Sequence, residues 1–451
     1  MAEYWDDYGT NADLPCVMDM IPGPEHANVM LGISTFDAAP YINQALARYR
    51  MIRLPLRGQL SVGSPLVVPS GGAIYGYNYQ CTIKALPNFG NNPVIRNAFT
   101  NPTSDAARDK NLTFVGFRID GNRANNPSAT EFAHGVKLCA VDGCVVDLQV
   151  VDVKGDGLLI LYADYPHGEI GCRAVYGRMR TQGCGRHGVA VICGEQINID
   201  IIDEGSSSLS LDIEPDEAVN FVRNCMFRVI SKRTGGGADV SGGFCVAGDG
   251  LGSRPTNITV DFEVFESGAY GGLWRDAVNL TLRGSIINPR LVGLVGVQAG
   301  SGPSSVFFDG VRVVGGGNNG MSARETVGSV YDGSLYIDGA TGMAAQIENL
   351  RGGILQMRAE NCGQQGVYLN NCQNVTFPNL VTTNNRGTNL WLRGGSSGNR
   401  FPNLKSMNCS AWGFLEDPGC NDNKATQARV SGNTSGNVAV SGASSYVAPE
   451  A

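Results

Sequence analysis

Residues 186–205, "RHGVAVICGEQINIDIIDEG", decide how the chain is read. The apolar residues fall in two short runs, "VAVIC" and "INIDII", bounded by Gly, Gln, Asn and Asp. No helical stripe can be drawn through them, so they read as two strands joined by a turn. The same pair recurs along the chain. A strand that follows a glycine or its equivalent appears as "HGVKLC" at 134, "DGLLIL" at 156, "HGVAVI" at 187, "SLSLDI" at 208, "GGFCVA" at 242, "GGLWRD" at 271, "VGLVGV" at 292, "QGVYLN" at 365 and "WGFLED" at 412. A second type alternates with it: "NLTFVGFRID", "CVVDLQVVDV", "QINIDIIDEG", "NITVDFEVFE", "NLTLRGSIIN" and "NVTFPNLVTT". Units of roughly 20 to 30 residues, each too small to bury its own face, stack into a solenoid. Strands rich in Val and Ile make that solenoid an all-β, right-handed parallel β-helix. A β-sandwich has no reason to repeat this pair of strands so often.

The chain has 451 residues, 61 of them glycine, and a formal net charge of −7. That balance argues against a general nucleic-acid binder. No apolar run is long enough for a membrane span, and the polar, acidic start "MAEYWDDYGTNADLPC" carries no export signal, which predicts synthesis in the cytoplasm. Thirteen cysteines lie singly, mostly in apolar runs, without metal-ligand spacing, and read as small buried hydrophobes. Cys139, Cys193, Cys225 and Cys245 are expected to be unreactive. Neither a metal nor a cofactor is implied by any motif.

From Ser34, "STFDAAPYINQALARY" spaces apolar residues as a helix would, and covers the open edge of the first coil. The run "DAAPYINQAL…IRLPLRGQLSVGSPLVVPSGGAIYG" resembles the opening of pectate-lyase-like β-helix proteins, particularly phage tailspikes, and the resemblance extends over residues 34–420. Where those proteins lead in with Gly-Asp-Gly and Asp-Asp-Thr, this chain has "LGISTFDAAP". The resemblance implies a virion tail protein, a homotrimer acting outside the cell, that binds and cleaves a host surface polysaccharide. Residues 1–33, acidic and without the repeat register, suit either an N-terminal arm for a tail or baseplate partner or a disordered terminus, and residues 421–451 read as a polar cap. For the trimer, Leu159, Leu161, Ala190 and Ile192 are the expected outward apolar face.

Chemistry must come from outward side chains. Alternation in "SLSLDIEPDE" turns Leu209, Leu211 and Ile213 inward and Ser210, Asp212 and Glu214 outward. Placing Phe244 and Leu273 over Leu209 brings Asp249, Asp276 and an outward Trp274 beside them. Paired carboxylates at about 5–10 Å suit acid–base glycoside hydrolysis, and a Trp supports a sugar ring. The expected site is therefore Glu214, Asp212, Asp249 and Asp276 as catalytic groups, with Trp274 and Arg275 on the substrate. A second column, His134, Asp156 and His187, suits either general-base work or turn chemistry. Arg173, Arg178, Arg180 and Arg186 suit either uronate binding or local charge balance. A third signal, "YADYPHGE", resembles the Tyr-Gly-x-Asp-Pro-His-Glu segment of alginate epimerases. It implies elimination chemistry with Tyr162 and His167, although Asp164 stands one place early and no Asp occupies the position near Ile192. Against all of these stands a receptor-binding or structural virion protein with no chemistry.

Overall fold

Gly135, Gly157 and Gly188 stand one above another at the start of successive strands. A Cβ on Gly157 would lie 2.6 Å from the Gly188 carbonyl oxygen and 2.6 Å from a Thr181 methyl. A Cβ on Gly271 would meet the Gly293 carbonyl at 2.6 Å and an Ile286 methyl at 2.5 Å. The next coil's backbone and a β-branched residue from the opposite wall leave room for hydrogen alone, which is why one strand type begins with glycine.

The computed structural model describes residues 13–163, 168–235, 241–248, 252–297 and 302–449. It divides into two compact units, Met1–Asp212 with Val219–Phe227, and Ile213–Ala218 with Arg228–Ala451. Each is built as a right-handed parallel β-solenoid. In the first unit one wall stacks Ala73–Tyr75, Asp109–Asp120, Val141–Val151, Cys172–Gln182 and Asn198–Glu204. A second wall stacks Ile95–Asn97, Val136–Cys139, Leu158–Leu161 and Val189–Val191. In the second unit the corresponding walls run from Thr256–Phe265 to Lys424–Ser431 and from Gly242–Ala247 to Gly436–Ala439. The opening stretch supplies a strand to each wall of the first unit, as its two apolar runs predict.

The expected N-terminal helix is Ala39–Tyr49, with Ile42, Ala45 and Leu46 buried. Asp37 fixes its start by accepting the Ala39 and Gly63 amides. Residues before it also lie on the coils: the Pro15 carbonyl accepts the Arg53 amide, and the helix His26–Leu31 brings the Val29 carbonyl against Gly58. At the other end, Lys424–Ser431 and Tyr446–Pro449 continue the parallel pairing past residue 420.

Side-chain oxygens, most of them from asparagine amides, close the turns of the second unit. Asn399 accepts the Val375 amide, Asn423 the Asn399 amide and Ser445 the Asn423 amide, at 3.0 to 3.1 Å. Asn385 and Asn433 do the same for Cys362 and Cys409. Each bond satisfies a buried N–H that no strand pairs, for about 1 kcal/mol.

Leu159, Ala190 and Ile192 form a small apolar cluster with Leu161 and Tyr162 against it, and the first three are no more than 7% exposed. The chain covers its own outward apolar patch, so these residues do not present the open trimer face expected of them. All thirteen cysteines are unpaired and buried. Burial pushes the Cys81, Cys172 and Cys225 thiols up to about 12 and Cys193 to about 11. A water-soluble aromatic disulfide is therefore expected to titrate essentially none of the thiols in native protein and all thirteen after denaturation. Fast native reaction at several positions would refute the inward register.

Candidate functional site

Trp274 is fully buried, which corrects its expected place on the surface. The register explains the reversal: Phe244 pairs with Gly272, and Leu273 with Cys245. Aligning Phe244 with Leu273 slips the coil by one residue, and one residue exchanges inside for outside. Trp274 instead donates its indole N–H to Glu325 and the Tyr331 hydroxyl, and sits edge-on to Phe308 and Tyr331 at 5.9 and 5.8 Å.

Two of the four expected catalytic carboxylates, Asp212 and Asp276, are buried rather than outward. Asp212 is 3% exposed and faces His187, with Oδ2 3.3 Å from Nε2. Asp276 is buried in a left-handed turn conformation (φ 53°), its carbonyl accepting the Arg254 Nε–H. Glu214 is open to solvent and paired with Arg275 at 3.1 Å. Arg275 also donates to the Gly248 carbonyl. Asp249 and His167 lie outside the described residues. Tyr162 is half-buried against the Leu159 cluster.

The His134, Asp156 and His187 column does assemble, but it is closed. Asp156 is fully buried, with Oδ2 3.2 Å from His134 Nδ1 and Oδ1 accepting the His187 amide at 3.1 Å. Arg186 approaches the same carboxylate at 3.8 Å. This is turn chemistry: carboxylate and imidazole tie successive coils together. Burial raises the Asp156 pKa, but the His134 contact and the nearby His187 and Arg186 outweigh it and hold the carboxyl below its ordinary value. A depressed carboxyl contributes stability above the unfolded carboxylate pKa of about 3.9, and the contribution disappears as pH falls through the folded value. Native protein should therefore exceed Asp156→Asn in melting temperature at neutral pH, with the gap closing in acid. A gap that holds constant from neutral pH to pH 3 would contradict this. Of the arginines nearby, Arg173 pairs with Glu195 at 2.7 Å and Arg180 lies over the Tyr79 ring at 5.2 Å.

An open site lies on the outer face of the second unit. Register shifts between Leu282 and Ser285 and again between Phe308 and Val311, while Gly284 and Gly310 take positive φ. A bulge bends its strand, and here the bend hollows the wall. Two hollows of about 590 and 300 Å³ meet at Gly310. Arg228, Asp261, Glu263, Arg283 and Arg312 line the larger, and Ser334, Tyr336, Gln356, Arg358 and Asn379 the smaller.

At the edge of the smaller hollow, Asp338 and Glu360 stand opposite each other in adjacent coils. The Tyr336 hydroxyl lies 3.1 Å from Asp338 Oδ2 and 3.4 Å from Glu360 Oε2. Arg358 Nε pairs with Glu360 at 2.8 Å and Thr383 donates to its other oxygen at 3.0 Å. Asn361 donates to Asp338. Tyr336 lies between Arg312 and Arg358, whose guanidinium carbons are 5.3 and 5.5 Å from its ring centre. Burial and the Asp338 contact raise the Tyr336 pKa, which keeps the phenol a donor at neutral pH. Sequence reading missed this site, although "VRVV", "LYID", "MRAE" and "LVTT" align it once the second strand type is followed past residue 310.

No model of a known protein family matches the chain, and no curated protein is similar to it in sequence. Its similarity is to solved parallel β-helices, with phage tailspikes among them. One is a variant of the tailspike protein of Escherichia coli bacteriophage HK620, in complex with a pentasaccharide. The two share 13% identity over 97% of this chain and 81% of that one, with a TM-score of 0.60. Another is the N-terminal fragment of bacteriophage phi29 gene product 12, 13% identical over 95% of this chain and 92% of that one, TM-score 0.54. A third is the A-module of the mannuronan C-5 epimerase AlgE4 of Azotobacter vinelandii, 15% identical over 96% and 99%, TM-score 0.47. At these identities what the tailspike and gene product 12 share with this chain is the fold.

Proposed function

We propose that the chain is a phage-tail protein that binds a surface polysaccharide along the furrow of its second unit and hydrolyses it there. The observation that carries the reading is the registered pair Asp338 and Glu360, bridged by one phenol at the rim of an open hollow. Two carboxylates within reach of a single hydroxyl suit the close spacing of a retaining glycosidase, about 5–5.5 Å, better than the about 6.5–9.5 Å of an inverting one.

In this reading Glu360, held in place by Arg358, is the nucleophile. Asp338, which takes hydrogen bonds from Tyr336 and Asn361, is assigned the role of acid. Asp338 protonates the glycosidic oxygen as the bond to the anomeric carbon breaks and Glu360 bonds to that carbon. Water then gives a proton to Asp338, attacks the same carbon and releases Glu360, leaving a new reducing end. Tyr336 offers an aromatic face with a polar tip to the sugar. Assembly as a homotrimer in a virion tail belongs to the same proposal, and a monomeric mass by sedimentation at micromolar concentration would remove that part of it.

The test is incubation with bacterial capsular and O-antigen polysaccharides, following both new reducing ends and unsaturated-uronate absorbance. Reducing ends without absorbance are expected. Absorbance would instead favour elimination, with Tyr162 and His167 as the groups to examine, and binding without either signal would leave a receptor-binding protein.

A further inference from the structure

The outward residues of the second unit stack in columns, because each coil repeats the register of the one before it. One column runs Arg312, Tyr336, Arg358, Val381, Lys405 and Arg429. Four of the six are cations, on a chain whose net charge is −7. Among the described residues, Arg312, Lys405 and Arg429 are paired with no carboxylate, and Lys405 and Arg429 stand directly opposite each other. Like charges in opposed positions are destabilising, so the chain maintains three cations without a carboxylate partner, beside the Glu360-paired Arg358, in one line on an otherwise acidic protein.

Beside this line lie neutral hydrogen-bonding groups, Ser334, Gln356, Asn379 and Asn403, which suit sugar hydroxyls. Adjacent coils are about 4.8 Å apart, close to the advance of one sugar in an extended chain. Arg312, Arg358 and Lys405 are two coils apart, or about 10 Å, with Tyr336 and Val381 between them offering apolar surface.

We propose that this face holds an acidic polysaccharide carrying one carboxylate on every second sugar, the carboxylates on Arg312, Arg358 and Lys405 and the intervening rings over Tyr336 and Val381. The inference rests on the carbohydrate reading above and adds charge and spacing to it. A nucleic acid would carry a phosphate on every residue past Asp338 and Glu360, which repel it.

The test uses hyaluronan and unsulfated chondroitin, their carboxyl-reduced forms, dextran and single-stranded DNA, with binding measured at low and moderate salt. Hyaluronan or chondroitin should bind at least tenfold more tightly than its reduced form and weaken with salt. The exposed double variant Arg312→Gln/Lys405→Gln, checked for an unchanged melting temperature, should bring the native and reduced polymers level. Equal affinity for native and reduced forms, still lost in Tyr336→Ala, would overturn the acidic specificity and leave the carbohydrate reading standing. Failure of every glycan would overturn both. Tighter binding of DNA than of any glycan would assign the column to a nucleic acid and overturn the proposal.

Discussion

Glu360→Gln is expected to lower the turnover of polysaccharide by about two to four orders of magnitude while changing affinity little. The amide keeps the side chain's shape and its hydrogen bond from Thr383, but it loses the negative charge that faces Arg358 and the electron pair that would attack the anomeric carbon. Asp338→Asn should fall comparably, because an amide has no proton to give the leaving oxygen. The two should differ with activated substrates: a leaving group that needs no protonation rescues Asp338→Asn in the first step and does not rescue Glu360→Gln. Glu214→Gln serves as the comparison, since Glu214 is held on the surface by Arg275 and is expected to retain native turnover. Full activity in both the Glu360 and Asp338 variants, with loss at Glu214, would return the chemistry to the strand after Leu209.

Trp274→Ala should cost about 3–5 kcal/mol, the range for emptying a large aromatic site in a core. Its ring fills the interior between Phe308 and Tyr331, and its N–H serves Glu325, which would lose a donor while buried. Glu325 also makes this interior sensitive to pH. Burial raises its pKa above the ordinary carboxylate value, against the opposing hydrogen bonds from Tyr331, Trp274, Ser304 and Ser329. A carboxyl with a raised folded pKa favours the fold while protonated. That contribution is complete below the unfolded value and is lost as pH rises through the folded one. Glu325→Gln, which can still accept the Trp274 N–H, should therefore gain on the native protein as pH rises. Unfolding rates at several pH values measure both effects, rates being the safer quantity for a long repeat protein. An unfolding rate for Trp274→Ala within twofold of native would show that the ring is not in the core.

The solenoid was legible because its physics recurs from coil to coil: in most, a glycine where two walls close, with β-branched residues inside and cysteines where a small apolar group fits. The helix over the first coil was legible from its apolar spacing, although a Ser or Thr was the expected cap and it is Asp37 that accepts the Ala39 amide. Trp274 was misplaced for a specific reason. Both "GGFCVA" and "GGLWRD" begin with two glycines, and only one of each pair sits in the closed column, Gly243 over Gly271. Pattern alone cannot choose between two adjacent glycines, yet the choice reverses every side chain that follows. The burial of Asp212 escaped for a different reason: alternation assigns a face, but neighbouring side chains decide whether that face meets water. The furrow depends on bulges at Gly284 and Gly310 and on groups more than twenty residues apart, so it appears only once successive coils are in register.

The asparagine ladder also bears on how such a chain can change in length. Asn423 accepts the Asn399 amide, and Asn399 accepts the Val375 amide, at an interval of 24 residues in each case. Excision of residues 399–422 would bring Asn423 to the place Asn399 leaves, with the same oxygen facing the same amide and each wall shortened by one strand. A cut of half that length would set a strand from one wall beneath the other and leave both amides unanswered. Duplication and loss of whole coils are thus the indels this architecture can absorb, and related chains should differ in length by multiples of a coil, with the reach of their binding face changing in the same steps.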